Sequence, residues 1–172
     1  PRGRFILTLR SKREIAPHIF DFAFALNERD AATKFRYLPG QFLDWTLPDV
    51  GFDSRGNRRT FTIASSPTEP VLRLGVKFSD PSSAYKQTLQ DMEVGDTIAT
   101  SRLSGHFVMP RDTKRPLVFI AGGIGITPFR SMAKYSLDTK TTRDVALFHL
   151  INTATDAVYQ ADFKAAHKVG WT

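Results

Sequence analysis

The hydrophobic period of this chain changes once, near residue 110, and that change limits the folds open to it. Before it, apolar residues alternate with polar or small ones. In "HIFDFAFAL" (18–26) Phe20, Phe22, Phe24 and Leu26 alternate with Asp21, Ala23 and Ala25, a period of two that gives a half-buried strand with one aromatic face. "VLRLGVKF" (71–78) repeats the pattern with Leu72, Leu74, Val76 and Phe78, and "RFILTL", "QFLDWTL", "RTFTIAS" and "TIATSRL" are further short runs between Pro, Gly, Asn and Asp turns. Six such strands predict an antiparallel barrel or sandwich. One helix interrupts them over 82–92, "SSAYKQTLQDM", with serine at its start and "VGD" closing it.

After "MPRDTKRP" (109–116), a polar stretch bracketed by prolines and read as a linker, the pattern differs. "PLVFIA" is a continuous apolar run, as a parallel strand buried on both faces requires. A helix, "TPFRSMAKYSL", then a second apolar run, "VALFHLI" (145–151), and a helix around "YQADFKAAHK" follow. Strand, helix, strand, helix is the start of a parallel α/β layer. The fold class expected is therefore β plus α/β, with an antiparallel β-barrel over residues 1–110 and a partial parallel α/β unit over 111–172.

Composition narrows the chemistry. The 172 residues contain no cysteine, which excludes disulfides, thiolate catalysis and cysteine-ligated metal centres in this chain. His18, His106, His149 and His167 form no metal-spaced pair, so no metal site is expected. The net charge of +7 comes from scattered basic residues, apart from "RGNRR" (55–59), and reads as a solvated surface rather than a nucleic-acid footprint. Apolar runs are too short to cross a bilayer and no signal peptide opens the chain, so the expected location is the cytoplasm, or the cytoplasmic part of a longer membrane protein. The chain opens on Pro1 and stops on "GWT", as a piece of a longer protein would.

"FIAGGIGITPFRSM" (119–132) places Gly122, Gly123 and Gly125 between a predicted buried strand and a predicted helix. That position receives nucleotides in open α/β sheets. Thr127 is expected as the N-cap and Pro128 as the first helical residue, leaving helix amides to hold a phosphate where no side chain intervenes. The Gly-Lys-Ser/Thr ending of an ATPase loop is missing, and Thr127 and Pro128 stand where a dinucleotide fingerprint has its last glycine. Read alone, the loop is equally a tight turn and a nucleotide site. "RRTFTIASSP" (58–67) sets Arg59 and Phe61 on one face of a short strand and Thr62 on the other. A guanidinium, an aromatic ring and a hydroxyl suit a pyrophosphate, a flat heterocycle and a ring nitrogen in turn.

Together the two motifs, with "PGQF" (39–42), "VGD" (94–96) and "GHF" (105–107) in the same order, resemble the ferredoxin–NADP reductase superfamily of flavoproteins. The resemblance covers nearly the whole chain. It implies an FAD-binding barrel followed by a nicotinamide-nucleotide-binding unit. It implies that Arg59 holds the FAD pyrophosphate, that Phe61 lies against the isoalloxazine or its ribityl chain, and that Thr62 bonds near flavin N5. Thr60 joins the same cofactor-binding strand, the backbone at Val76 and Lys77 runs along the cofactor, and Ser83, Ala84 and Lys86 form the helix start beneath its phosphates. Gly122, Gly123, Gly125, Thr127 and Pro128 match the loop that receives NAD(P)H, with Thr127 near the nicotinamide. Thr62 and Thr127 are thus the residues nearest the hydride transfer.

The chain departs from the family pattern at Ser83, commonly glycine there, and at Arg102 and Leu103, where the family often has Gly-Pro. It also ends before the Cys-Gly motif that usually faces the nicotinamide. The function implied is transfer of a hydride from NAD(P)H to FAD and of electrons onward to an acceptor such as ferredoxin or flavodoxin. The other reading is a non-catalytic module that binds FAD or a partner. Asn152 and Thr153 after the second apolar run, with no arginine beside them, favour NADH over NADPH.

Overall fold

The computed structural model describes residues 4–26 and 35–172. Parts of the first stretch assigned to the barrel, residues 1–3 and 27–34, lie outside the described residues. Six strands, β1 (Phe5–Ala16), β2 (Ile19–Leu26), β3 (Phe42–Thr46), β4 (Arg58–Thr62), β5 (Leu72–Lys77) and β6 (Thr97–Ser104), form one curled antiparallel sheet in the order β4-β3-β6-β1-β2-β5. The two edges approach each other just past β4, where Ala64 N–H donates to Arg73 O of β5 at 2.9 Å. The interior is filled by Leu7, Leu9, Phe22, Phe24, Leu43, Trp45, Leu74 and Ile98, the alternate residues that a period of two sends to one side. Helix α1 (Ala84–Asp91) plugs one end through Tyr85 and Leu89.

The second part is a two-stranded parallel sheet, β7 (Leu117–Gly122) beside β8 (Val145–Leu150), connected by α2 (Thr127–Asp138) and followed by α3 (Gln160–Ala166). Trp171 makes a parallel bridge to Val145. Ile126, Phe129, Met132, Ala133, Val145, Val158 and Trp171 form a second core.

Three expectations change here. The β2 strand is not half-buried: Asp21 and Ala23, on the face opposite Phe22 and Phe24, are also closed off, because Tyr159 of the α/β part packs there and donates to Asp21 Oδ1 at 3.0 Å. Conversely, the apolar runs of β7 and β8 are covered on one face only. Phe119 and Leu147 pack into the second core, whereas Val118, Ile120, Phe148 and Leu150 stay exposed, since both helices lie on the Phe119 side. The stretch 109–116 has no regular structure but is not a free linker, for Arg143 donates to the carbonyls of Pro110 (2.9 Å) and Asp112 (3.2 Å).

The Arg102 departure has a local solution. Arg102 takes a left-handed backbone (φ 51°), and the β3–β6 register shifts there, from Phe42↔Ser104 to Asp44↔Ser101. This is a bulge, which bends the strand without requiring Gly-Pro.

Candidate functional site

On β4 the expected alternation holds. Arg59 and Phe61 pair with Trp45 and Leu43 of β3, both fully buried, so these two side chains turn towards the barrel interior and α1. The Phe61 ring lies 6.1 Å from that of Tyr85. Thr60 and Thr62 turn the other way, and Thr60 Oγ1 donates to Asp44 Oδ1 at 2.7 Å. Phe61 and Thr62 therefore lie on opposite faces of one edge strand.

Arg59 is enclosed by its own loop. Its Nη1 donates to the carbonyls of Arg55 (3.1 Å), Gly56 (2.8 Å) and Arg58 (2.7 Å), and its guanidinium sits 4.9 Å above the Tyr85 ring. Nη2 lies 2.6 Å from Asp53 Oδ2, yet among the described residues it has no partner aligned for a hydrogen bond. The charges are paired while the N–H bonds of Nη2 are not aimed at an oxygen.

Helix α1 starts as the sequence predicts. Ser83 is its N-cap, with Oγ accepting from Lys86 N at 3.4 Å, and Ala84 is its first residue. Lys86 Nζ reaches across to Lys77 O of β5 at 2.6 Å. Burial, and then the charge of Arg55, hold its ammonium below the ordinary lysine range. Val76, next along β5, points into the barrel core, so only its backbone is available to a ligand.

The glycine loop differs in detail from its expectation. Gly123–Ile126 curl into a 3₁₀ turn that runs directly into α2. The cap position belongs to Ile126, Thr127 is already helical, and Pro128 is second. Thr127 N–H is spent on Ile124 O. The amides that a helix start leaves open thus fall in the Gly123–Ile126 turn rather than at Thr127. A β-carbon added at Gly122, Gly123 or Gly125 would meet nothing within 4 Å. Only Gly123, with φ 49°, needs to be glycine for its backbone. The packing of the protein gives no reason for the other two, and the space before them is open.

The two constellations meet on β5. A β-carbon on Gly75 would fall 2.8 Å from Thr127 Cγ2 and 2.6 Å from Tyr159 Oη, so the buried Thr127 touches the strand one residue from Val76 and two from Lys77. The quoted motifs also touch directly: Arg130 of "TPFRS" donates to Ala64 O at 3.1 Å, and Ser131 Oγ donates to Ser65 O of "SSP".

Sequence reasoning missed most of the charged groups around this junction. Arg130, which is 5% exposed, grips Glu69 with both η nitrogens and donates from Nε to Asp162 Oδ2 at 3.1 Å. Arg73 pairs with Glu69 and with the buried Asp21, and Lys77 lies 3.4 Å from Asp156. Burial, then Asp21, push the Tyr159 hydroxyl well above its ordinary range. Asp53 and Tyr85 were missed as well. Arg130 at least stood inside a quoted motif; the others carried no local signal.

Residues 119–170 match the family model for the oxidoreductase NAD-binding domain. Flavohemoprotein A of Dictyostelium discoideum is 29% identical over 147 residues, which cover 80% of this chain and 36% of that protein. The chain spans about a third of the length of the curated relatives it matches. Among solved structures, the ferredoxin–NADP+ reductase of Plasmodium falciparum superposes with a TM-score of 0.81 at 18% identity, covering 98% of this chain and 69% of that one. The flavohemoglobin of Malassezia yamatoensis, solved with bound FAD and heme, gives 0.77 at 19% identity, covering 98% and 44%. The chain has the fold of the ferredoxin–NADP reductase superfamily. None of its described helices is long and apolar enough to cross a membrane.

Proposed function

We propose that a chain with this fold and an NAD-binding oxidoreductase segment is the flavin- and nicotinamide-binding part of an NAD(P)H-dependent FAD reductase. The observation that carries the reading is the open space before Gly122 and Gly125, glycines for which the protein's own packing has no use. A second observation fits it: the Arg59 guanidinium stands beside the start of α1, its Nη2 ion-paired to Asp53 without an aligned hydrogen bond, a place that suits a diphosphate. When bound, the two cofactors supply hydride transfer between nicotinamide and flavin.

The chain's own residues bind and orient. Arg59 and the α1 start at Ser83 and Ala84 offer charge and amides to a diphosphate, with Lys86 alongside. The Val76–Lys77 backbone and Phe61 flank the space between, and Thr62 offers a hydroxyl at the strand edge. The turn at Gly122, Gly123 and Gly125 receives the nicotinamide nucleotide. Thr127 and Pro128 begin the helix that fixes its approach to β5. This division assigns FAD to residues 1–110 and the nicotinamide nucleotide to 111–172. The stretch after β8 carries Asn152 and Thr153 and no arginine, which favours NADH. The +7 charge suits an acidic one-electron carrier such as ferredoxin or flavodoxin as acceptor.

Absorbance spectra of the purified chain with added FAD, before and after anaerobic NADH or NADPH, test the reading. A flavin spectrum that bleaches within seconds is expected, faster with NADH; a chain that takes up no FAD overturns it. Gly122→Ala and Gly125→Ala sharpen the test. Both should leave the melting temperature within about 2 °C, because neither adds a contact and neither glycine has a positive φ. Both should slow flavin reduction at least roughly tenfold, the price of a methyl group where a nucleotide must approach. Equal reduction rates in variants and parent would show that the loop receives no nucleotide.

A further inference from the structure

The loop between β3 and β4 carries a carboxylate into the place where the proposed diphosphate site would hold its anion. Asp53 Oδ2 lies 2.6 Å from Arg59 Nη2 and accepts from Tyr85 N–H at 3.2 Å. Tyr85 is the second residue of α1, so this amide is one of those a helix start offers to an anion. Asp53 Oδ1 accepts from Arg55 N–H at 2.9 Å. The same loop supplies the carbonyls of Arg55, Gly56 and Arg58 to Nη1. Among the described residues, every polar partner of the Arg59 guanidinium thus comes from residues 53–58.

We infer that Asp53 is an internal competitor for the flavin diphosphate, occupying the anion site at Arg59 and the α1 start until the ligand displaces the loop. This inference rests on the proposal that Arg59 receives the FAD diphosphate. Its physical basis is tethering. A carboxylate six positions from its arginine has an effective concentration in the millimolar range, and the apparent affinity for an outside anion falls with the fraction of sites left open. Asp53 is well suited to the part. The Arg55 amide, with further help from Tyr85 N–H and Arg59, holds its carboxyl below the ordinary aspartate range, so it is anionic at neutral pH. It brings one negative charge where a diphosphate brings two, and it leaves Nη2 without an aligned hydrogen bond. The contact can therefore be exchanged for a better one. The loop is anchored at its base, where Leu47 and Asn57 bond and Val50 packs on the barrel core, but its tip is open: Phe52 is 97% exposed, and β-carbons on Gly51 and Gly56 would meet nothing within 4 Å.

The test compares the parent chain, Asp53→Asn and Asp53→Asn/Arg59→Gln by flavin fluorescence quenching and by the thermal shift that inorganic pyrophosphate produces. Asn removes the charge and keeps one acceptor oxygen, enough for the Arg55 amide or the Tyr85 amide but not for both. FAD should bind Asp53→Asn roughly tenfold more tightly than the parent, equivalent to about 1.4 kcal/mol. Pyrophosphate should raise the melting temperature of Asp53→Asn more than that of the parent, and the Arg59→Gln change should abolish both gains. If Asp53 instead holds Arg59 in position for the flavin, Asp53→Asn binds FAD more weakly and the inference fails. Equal FAD affinity in parent and Asp53→Asn also overturns it, while leaving the FAD reading intact. If no protein takes up FAD but Asp53→Asn gains an Arg59-dependent pyrophosphate shift, the FAD reading fails and the competition stands. Absence of both responses overturns both.

Discussion

Arg130→Met is expected to destabilise the chain by about 3–5 kcal/mol, the usual cost of removing one partner from a buried ion pair. For a chain of this size that is a fall of roughly 6–20 °C in melting temperature. Arg130 is almost wholly enclosed and satisfies Glu69, Asp162 and the Ala64 carbonyl at once. Methionine fills the volume but leaves Asp162 without this cation and Glu69 with Arg73 as its remaining cation. Adding Glu69→Gln should recover part of the loss, because the expense lies in the stranded charge. A loss below about 1 kcal/mol would show that solvent reaches these groups and that they do not brace the junction.

Acid titration checks the same network. Burial pushes the Glu69 carboxyl up, but the hydrogen bonds and charge of Arg130, then Ser66 N–H and Arg73, outweigh it and hold the carboxyl below its ordinary range. A carboxyl that is more acidic folded than unfolded contributes stability that is full above its unfolded value, about 4.3, and is lost as pH falls through the folded one. The parent chain should lose stability over that acid window. Arg130→Met should lose less there, having already lost the interaction. Because Arg130 joins α2 to the segment after β4 and to α3, the variant should also loosen Thr127 against Gly75, and so slow flavin reduction more than it weakens FAD binding.

Gly40→Ala should cost about 3 kcal/mol or more, through backbone strain and overpacking together. Gly40 has φ 97°, and a β-carbon there would lie 2.0 Å from Phe107 O and 2.6 Å from Met132 Cε. The methionine can move; the carbonyl belongs to backbone between β6 and β7 and cannot yield without shifting "GHF". The expected fall in melting temperature is about 6–12 °C. Gly51→Ala is the control, since a β-carbon there meets nothing within 4 Å, and it should melt with the parent. If Gly40→Ala also melts with the parent, "PGQF" and "GHF" are not locked together as the structure has them.

These contacts explain why some of the motifs are legible as sequence and what they are for. "PGQF" and "GHF" fall in family order because one must pass under the carbonyl of the other. "SSP" and "TPFRS" do so because Ser131 and Arg130 close on Ser65 and Ala64. Part of the pattern that suggested two cofactor sites is thus the seam between two halves of the fold. Arg59 and the glycine turn are the part that the seam does not use up. The glycine turn was legible in its residues but not in its geometry. Thr127 and Pro128 read as cap and first turn, whereas the glycines before them already coil and move the helix start upstream.

The sequence by itself determined the strand and helix order, the change from antiparallel to parallel pairing, and the two stretches proposed to face a ligand. These follow from hydrophobic period and turn residues, which act within a few positions along the chain. The tertiary structure alone decided that the Asp21 face of β2 is buried and that Val118, Ile120, Phe148 and Leu150 are not. It also decided that Arg130 holds Glu69 and Asp162, and that Asp53 rather than open solvent meets Arg59. Burial and ion pairing depend on which distant segments come to lie against a residue, and no local pattern in the chain records that.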